Sequence, residues 1–207
     1  MSEQKDIVKR ENVWSNGFIS LEKVFFEKDG IEPHSHVRVV KRNAVAGLLY
    51  NTATEKYIFV KQYRTGTNSV LTEIIAGTMD VEGESAVDCL AREIEEEAGY
   101  KMTCAEFICV SHPTPGVCNE KIHVFFAETD GVKVGSGGGV GHENIEIVEL
   151  TFDEMMTQKD LLNDMKTCIA ILHHHNNKLK WPSLKKGWNL PEEPKPLSSW
   201  ESFREKI

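Results

Sequence analysis

Hydrophobic and polar positions divide the chain into a strand-rich front, one strongly periodic helix and a helical end. Residues 18–26, FISLEKVFF, are dense in strand formers, Asp29-Gly30 follows as a turn, and a second strand covers residues 37–40. A sheet fragment confined to residues 5–40 is too small to be stable alone. It must pack on the main domain or on a second copy of the chain. Residues 45–50 and 57–63 are two further strands joined by the polar connection 51–56, and residues 71–75 form another that leads into a loop at Gly77. Strands follow near 107–111 and 122–128, then a glycine-rich stretch, 135–141, expected as a flexible loop, then a strand over 145–151. Phe152-Asp153 opens a short helix. Asn163 caps a second that runs to about His173, with Met165, Ile169 and Leu172 on one face. Beyond Asn176, Pro182, Pro191, Pro194 and Pro196 stand between aromatics and mark a mostly irregular tail.

The periodic helix lies between these parts. Ser85 and Asp88 have the spacing of a capping box, and Ala86, Leu90, Ile94 and Ala98 recur every four residues as a buried stripe. Gly99 stands where a left-handed C-cap is wanted. Glu93, Glu96 and Glu97 then share a helix face, because residues three and four apart are neighbours. Three like charges in one patch repel, and Arg92 offsets only part of that. On the residues alone the patch is either a solvated acidic face or a site for a hard cation, Mg²⁺ or Mn²⁺, shared with a phosphate substrate.

Mixed strands around one central helix, with helices at the end, make an α/β layered domain. The organisation expected is an N-terminal β piece over 1–41, a main domain over 42–175 and a tail over 176–207. At 207 residues the chain is long enough for one well-buried core and an appendage. A net charge of −8 argues against a nucleic-acid partner, which wants a basic face. A polyanionic substrate stays open, since bound divalent ions invert the local sign. The five cysteines (Cys89, Cys104, Cys109, Cys118 and Cys168) include no CxxC pair, residues 1–11 are polar, and no run of about 18 apolar residues could span a membrane. A reduced, cytoplasmic protein with structural cysteines is the expectation.

Glu84, seven residues, then Arg92-Glu93-Ile94-x-Glu96-Glu97-x-Gly99-Tyr100 resembles the signature of the Nudix hydrolase family. The signature reads Gly, five residues, Glu, seven residues, Arg-Glu-apolar-x-Glu-Glu-x-Gly-apolar. The departure is at the front, where six residues rather than five separate Gly77 from Glu84, a one-residue insertion in the loop 78–83. The resemblance implies an α/β/α sandwich whose N-terminal β piece builds a homodimer and closes the substrate pocket. It implies Glu93, Glu96, Glu97 and the backbone carbonyl of Ala76 as metal ligands, with Glu96 close to the chemistry and Mg²⁺, or Mn²⁺ as a substitute, as the cofactor. Glu84 and Arg92 would pair to hold loop against helix.

Three further stretches resemble the ADP-ribose and nucleoside-diphosphate-sugar pyrophosphatases of that family. Gln62-Tyr63-Arg64 followed by Glu73 and Ala76-Gly77 matches a "QYR…E-x-x-AG" pattern, which implies Arg64 and Glu73 at the substrate. Arg64 would then bind phosphate, or ion-pair with Glu73, and the two are compatible. Pro115-Gly116 through Glu120 resembles an "SPG…E" loop with Thr114 in place of Ser, and otherwise reads as an ordinary turn. The glycine-rich stretch leads to Glu143 and Glu146, where that branch carries its water-activating carboxylate. Glu143 aligns best, and the other reading is the polar start of a strand. The wording of this stretch is closest to the GDP-mannose pyrophosphatase subgroup. His173, His174 and His175 are consecutive on a helix, point apart and read as a polar helix end rather than a metal site.

The resulting expectation is Mg²⁺-dependent hydrolysis of ADP-ribose or another nucleoside diphosphate sugar to a nucleoside monophosphate and a sugar phosphate. Trp14 and Phe25 are candidates to stack on the base. The alternatives are a nucleoside triphosphate pyrophosphohydrolase and a non-catalytic nucleotide-sugar sensor. Such a sensor usually lacks the box carboxylates, all of which are present here.

Overall fold

The computed structural model describes residues 6–28, 31–139 and 144–178. Strands β1 (Asp6–Ser15), β2 (Ser20–Lys28) and β3 (Ile31–Val40) form an antiparallel three-stranded sheet. This is one strand more than the pattern predicts. Residues 6–15 are mostly polar, and they become a strand by pairing along β2, with two register shifts on the way. The β1–β2 turn is set locally: Asn16 Oδ1 accepts from the Phe18 and Ile19 amides at 3.0 and 2.8 Å, and Gly17 takes φ +86°. The predicted Asp29-Gly30 turn lies outside the described residues.

A second, mixed sheet carries β4 (Ala44–Asn51), β5 (Lys56–Arg64), β6 (Ser69–Glu73), β7 (Ile75–Thr78), β8 (Cys104–Ser111), β9 (Ile122–Thr129) and β10 (Glu146–Leu150). Its order is β10-β5-β4-β9-β8, with β6 paired to β5 and β7 to β4. β4 and β9 run parallel, while the other pairs are antiparallel. Successive residues of β4 face opposite sides. Val45 and Leu49 join Ile58 and Val60 under helix α1 (Ala86–Glu93) and the π turn that continues it (Ile94–Ala98). Ala46 and Leu48 join Tyr57 and Phe59 under α2 (Phe152–Thr157), a 3₁₀ turn (Lys159–Asn163) and α3 (Met165–Lys178). The layers are therefore α/β/α, as expected. Gly47 lets α1 lie close, since a Cβ there would sit 2.8 Å from Leu90 Cδ1.

Two local readings change. The single strand expected over 71–75 is two, because the chain leaves β5 for β4 at Ile74. Ile74 is fully buried, and its N–H donates to Thr167 Oγ1 at 3.0 Å. Gly77 consequently lies inside β7 rather than in a loop. In α3 the cap is Asp164, whose Oδ2 accepts from the Thr167 amide at 3.1 Å, while Asn163 closes the 3₁₀ turn. The buried face of α3 is Thr167, Ala170 and Ile171; Met165 and Leu172 are 48% and 54% exposed. Of the predicted stripe only Ile169 packs against the core, because polar residues fill part of the inner face. His174 bonds the Tyr57 hydroxyl at 2.7 Å and stacks on Phe126, with His175 on Phe152 and His173 near Glu106. The three histidines point apart, as expected of consecutive helical residues.

A strap joins the two sheets. Val39 N–H donates to Val117 O at 2.7 Å, Asn119 N–H to Val39 O at 3.3 Å, and Lys41 N–H to Asn119 Oδ1 at 2.9 Å. The predicted Pro-Gly turn forms, with Thr114 O accepting from the Val117 and Cys118 amides. Among the described residues no helix is long and apolar enough to cross a membrane.

Candidate active site

The site is built on the end of α1. Ser85 Oγ accepts from the Asp88 amide at 3.1 Å and donates to Asp88 Oδ2 at 2.7 Å, so the helix opens where the pattern places it. Arg92, two turns on, forks onto Glu84, Nε to Oε1 at 3.0 Å and Nη2 to Oε2 at 3.1 Å. This is the clamp of loop against helix that the sequence implies. Arg92 Nη1 also donates to Glu93 Oε1 at 2.8 Å and Glu96 Oε2 at 3.3 Å, and Asp80 lies 3.6 Å away. The Arg92 guanidinium holds the Glu84 carboxyl below the usual carboxylate range. Glu93 goes the other way: burial pushes its carboxyl up, against the pull of Arg92.

Glu93 and Glu97 are 9% and 4% exposed. Both turn onto β7. A Cβ at Gly77 would lie 1.8 Å from Glu93 Cδ, so glycine is what gives this carboxylate its room. Glu97 Oε2 accepts from the Ala76 amide at 3.4 Å, which brings Ala76 to the carboxylates. The last turn is widened into a π turn ending at Gly99, φ +72°, the predicted left-handed cap. Among the described residues no three Asp, Glu, His or Cys side chains are placed to hold one metal ion. Glu93 and Glu96 are turned to Arg92 and Glu97 to the Ala76 amide. The donor chemistry nevertheless suits a hard divalent ion: Glu93 and Glu97 are buried carboxylates beside β7, and Gly77 leaves Glu93 its room.

Next to these residues a cavity of about 510 Å³ is lined by Ala76, Gly77, Arg64, Glu73, Lys166, Lys41, Thr114 and Glu120 among others. Arg64 Nε pairs with Glu73 Oε2 at 2.5 Å, while its side chain remains 35% exposed toward the cleft. Ion pairing and access to a substrate thus coexist. Lys166 Nζ bonds Glu73 Oε1 at 2.8 Å and Asp164 Oδ2 at 3.0 Å, and Lys41 Nζ bonds Glu120 Oε1 at 2.8 Å. Sequence reasoning reached Arg64, Glu73 and the 114–120 turn but not Lys41 or Lys166. A lysine at a strand end and another in a late helix carry no local signal. Only the tertiary contacts bring them to the cleft.

Of three further expectations, one lies outside the described residues and two fall away from this cavity. Glu143 lies outside the described residues. Glu146 is in β10, exposed and 3.3 Å from Lys61. Trp14 and Phe25 lie on the front sheet and do not line this cavity; Phe25 lies beneath the ammonium groups of Lys9 and Lys23. The glycine-rich stretch, expected as a free loop, is fastened through residues 134–139 to the end of the π turn. The cysteines are free, and burial pushes the Cys89 thiol up to about 12, as befits a packing residue.

The same segment is similar to known proteins. The NUDIX domain matches residues 40–170. The GDP-mannose pyrophosphatase of Cronobacter sakazakii is 32% identical over 187 residues, covering 84% of this chain and 96% of that protein. The GDP-mannose pyrophosphatase of Escherichia coli K12 is 30% identical over 185 residues, covering 83% and 95%. A crystal structure of an ADP compounds hydrolase shares the fold, with a TM-score of 0.70 at 22% identity over 86% of this chain and 96% of that one. The mixed sheet, α1 and the carboxylates gathered around Arg92 all lie within the matched segment, and the chain belongs to the Nudix hydrolase family.

Proposed function

We propose that this Nudix pyrophosphatase hydrolyses the pyrophosphate bond of a nucleoside diphosphate sugar, releasing a nucleoside monophosphate and a sugar phosphate, with Mg²⁺ as the working ion and Mn²⁺ as a substitute. The observation that carries the reading is one cleft lined by Arg64, Lys166 and Lys41 whose wall includes Ala76 and Gly77, the residues against which the buried Glu97 and Glu93 lie. A diphosphate with substituents at both ends needs such a site: cations for its phosphates and an acidic end for the ion. Relatives named GDP-mannose pyrophosphatase make GDP-mannose the first substrate to test, with ADP-ribose next.

Glu93, Glu97 and the Ala76 carbonyl are the proposed ion ligands, with Glu96 beside them. A divalent ion there supplies charge neutralisation on the phosphates and a more acidic water. Water attacks one phosphorus, the bridging P–O bond breaks, and the bridging oxygen leaves with the other phosphate. Arg64 has its Nε committed to Glu73, which leaves its terminal nitrogens for phosphate oxygens. Glu143, assigned on sequence position, takes the proton of the attacking water. The exposed Val8, Val13, Trp14 and Phe18 of the front sheet support a homodimer formed through that piece. The five cysteines without a CxxC pair support a reduced, cytoplasmic setting.

The test is hydrolysis of GDP-mannose, ADP-ribose, UDP-glucose, ADP-glucose and a triphosphate panel, with the products separated by anion-exchange chromatography, with and without Mg²⁺, for the wild type and Glu97→Gln. One diphosphate sugar leading, with turnover lost in the variant, is the expected result. Triphosphates leading would replace the substrate class. Tight binding with no turnover would replace the enzyme by a sensor.

A further inference from the structure

A helix leaves its last four carbonyls without intrahelical partners. At the end of the π turn, Glu95 O accepts from Gly99 N–H at 2.9 Å, and the chain after β9 takes the other three. Gly139 N–H donates to Glu96 O at 3.0 Å, Gly138 N–H to Glu97 O at 2.8 Å, and Lys133 Nζ to Ala98 O at 2.8 Å. Val134 and Gly135 add amide bonds to Gly99 O. The Lys133 ammonium also lies 3.5 Å from the centroid of the Tyr100 ring, whose hydroxyl donates to Glu149 in β10 at 2.9 Å. The fit needs glycine: a Cβ at Gly137, φ +65°, would lie 2.9 Å from both Glu97 O and the Ala98 carbonyl carbon.

Two of the carbonyls taken here belong to Glu96 and Glu97, whose carboxylates are proposed to serve the ion. Glu96 and Glu97 each give a backbone oxygen to the glycine stretch while their side chains turn to Arg92 and Ala76. A π turn is a rare, widened turn found chiefly as a single bulge within a helix. It persists here with its free carbonyls satisfied from outside. We propose that residues 133–139 are a positioning clamp that sets the aim of Glu97, and so the ion affinity of the site, by holding the backbone of the π turn. This role rests on the assignment of Glu93 and Glu97 as ion ligands, and is separate from any carboxylate the loop carries.

The experiment is calorimetric and electron-spin-resonance titration of the full chain with Mn²⁺, for the wild type, Gly137→Ala, Lys133→Met and Glu97→Gln, with far-ultraviolet circular dichroism and melting of each. Gly137→Ala should weaken Mn²⁺ binding about 10- to 100-fold, the range for loss of support behind a ligand, at a temperature where its dichroism is that of the wild type. Lys133→Met removes the bond to Ala98 O and the ammonium contact with the Tyr100 ring but none of the backbone fit, and should weaken binding in the same direction by less. Should Gly137→Ala fail to fold, Lys133→Met decides alone. If the clamp variants bind Mn²⁺ like the wild type while Glu97→Gln does not, the clamp is overturned and the ligand assignment stands. If Glu97→Gln itself binds like the wild type, the ligand assignment falls and the clamp with it.

Discussion

Replacing Glu73 with Gln removes the negative centre of a three-part charge network. Glu73 is 4% exposed and holds Arg64 with one oxygen and Lys166 with the other. Removing one partner of a buried ion pair costs about 3–5 kcal/mol, because the remaining charge is left unpaired. Two features reduce this. Arg64 is 35% exposed and can be hydrated, and Lys166 keeps Asp164 at 3.0 Å. Gln also retains the shape and a carbonyl acceptor. The expected loss is therefore about 2–3 kcal/mol, below the full penalty. For a chain of this size that lowers the melting temperature by about 4–12 °C, at ~2–4 °C per kcal/mol. Guanidinium unfolding followed by circular dichroism measures the free energy directly. The double variant with Lys166→Met should recover part of the loss, since it removes one stranded charge. A Glu73→Gln protein within about 0.5 kcal/mol of the wild type, the usual effect of a surface change, would refute the argument that this network is buried and coupled.

Two further outcomes follow from single contacts. Gly77→Ala places a methyl where the Glu93 carboxylate lies, 1.8 Å from its Cδ, and should reduce turnover at saturating substrate by at least about 10-fold while the far-ultraviolet spectrum stays unchanged; unimpaired turnover would place Glu93 outside the reaction. At alkaline pH the chain should lose stability, because burial and then the neighbouring Glu128 push the Cys104 thiol from 9.0 up to about 11. The unfolded chain releases that proton first, so it binds fewer protons than the folded chain between about pH 9 and 11, and stability falls as pH rises through that window. Melting temperatures across this range check the sign, and Cys104→Ala should flatten the decline.

Much of the site was legible because it is local. Ser85, the stripe through Leu90 and Ile94, Gly99 and the carboxylates between them lie within 15 consecutive positions of one helix, where spacing fixes which side chains share a face. Strands β4, β5, β8, β9 and β10 were legible for a similar reason, as short apolar runs bounded by turn residues. β1 was not, since its residues are mostly polar and pairing with β2 makes it a strand. The inner face of α3 was misread because Thr167 and His174 are polar, and their partners, Ile74 N–H and the Tyr57 hydroxyl, come from distant parts of the chain.

What the sequence by itself determined was the set of groups available for chemistry and their order along one helix. Their surroundings were decided by tertiary structure. Pairing of β7 with β4 sets Gly77 against Glu93 and the Ala76 amide against Glu97. Docking of α3 brings Lys166, 93 residues along the chain, onto Glu73. The glycine stretch becomes a clamp only where it meets the end of the π turn. The physical reason is the same in each case: hydrogen bonds and ion pairs depend on distances through space, and a local pattern carries no information about which distant backbone oxygen or ammonium group will arrive.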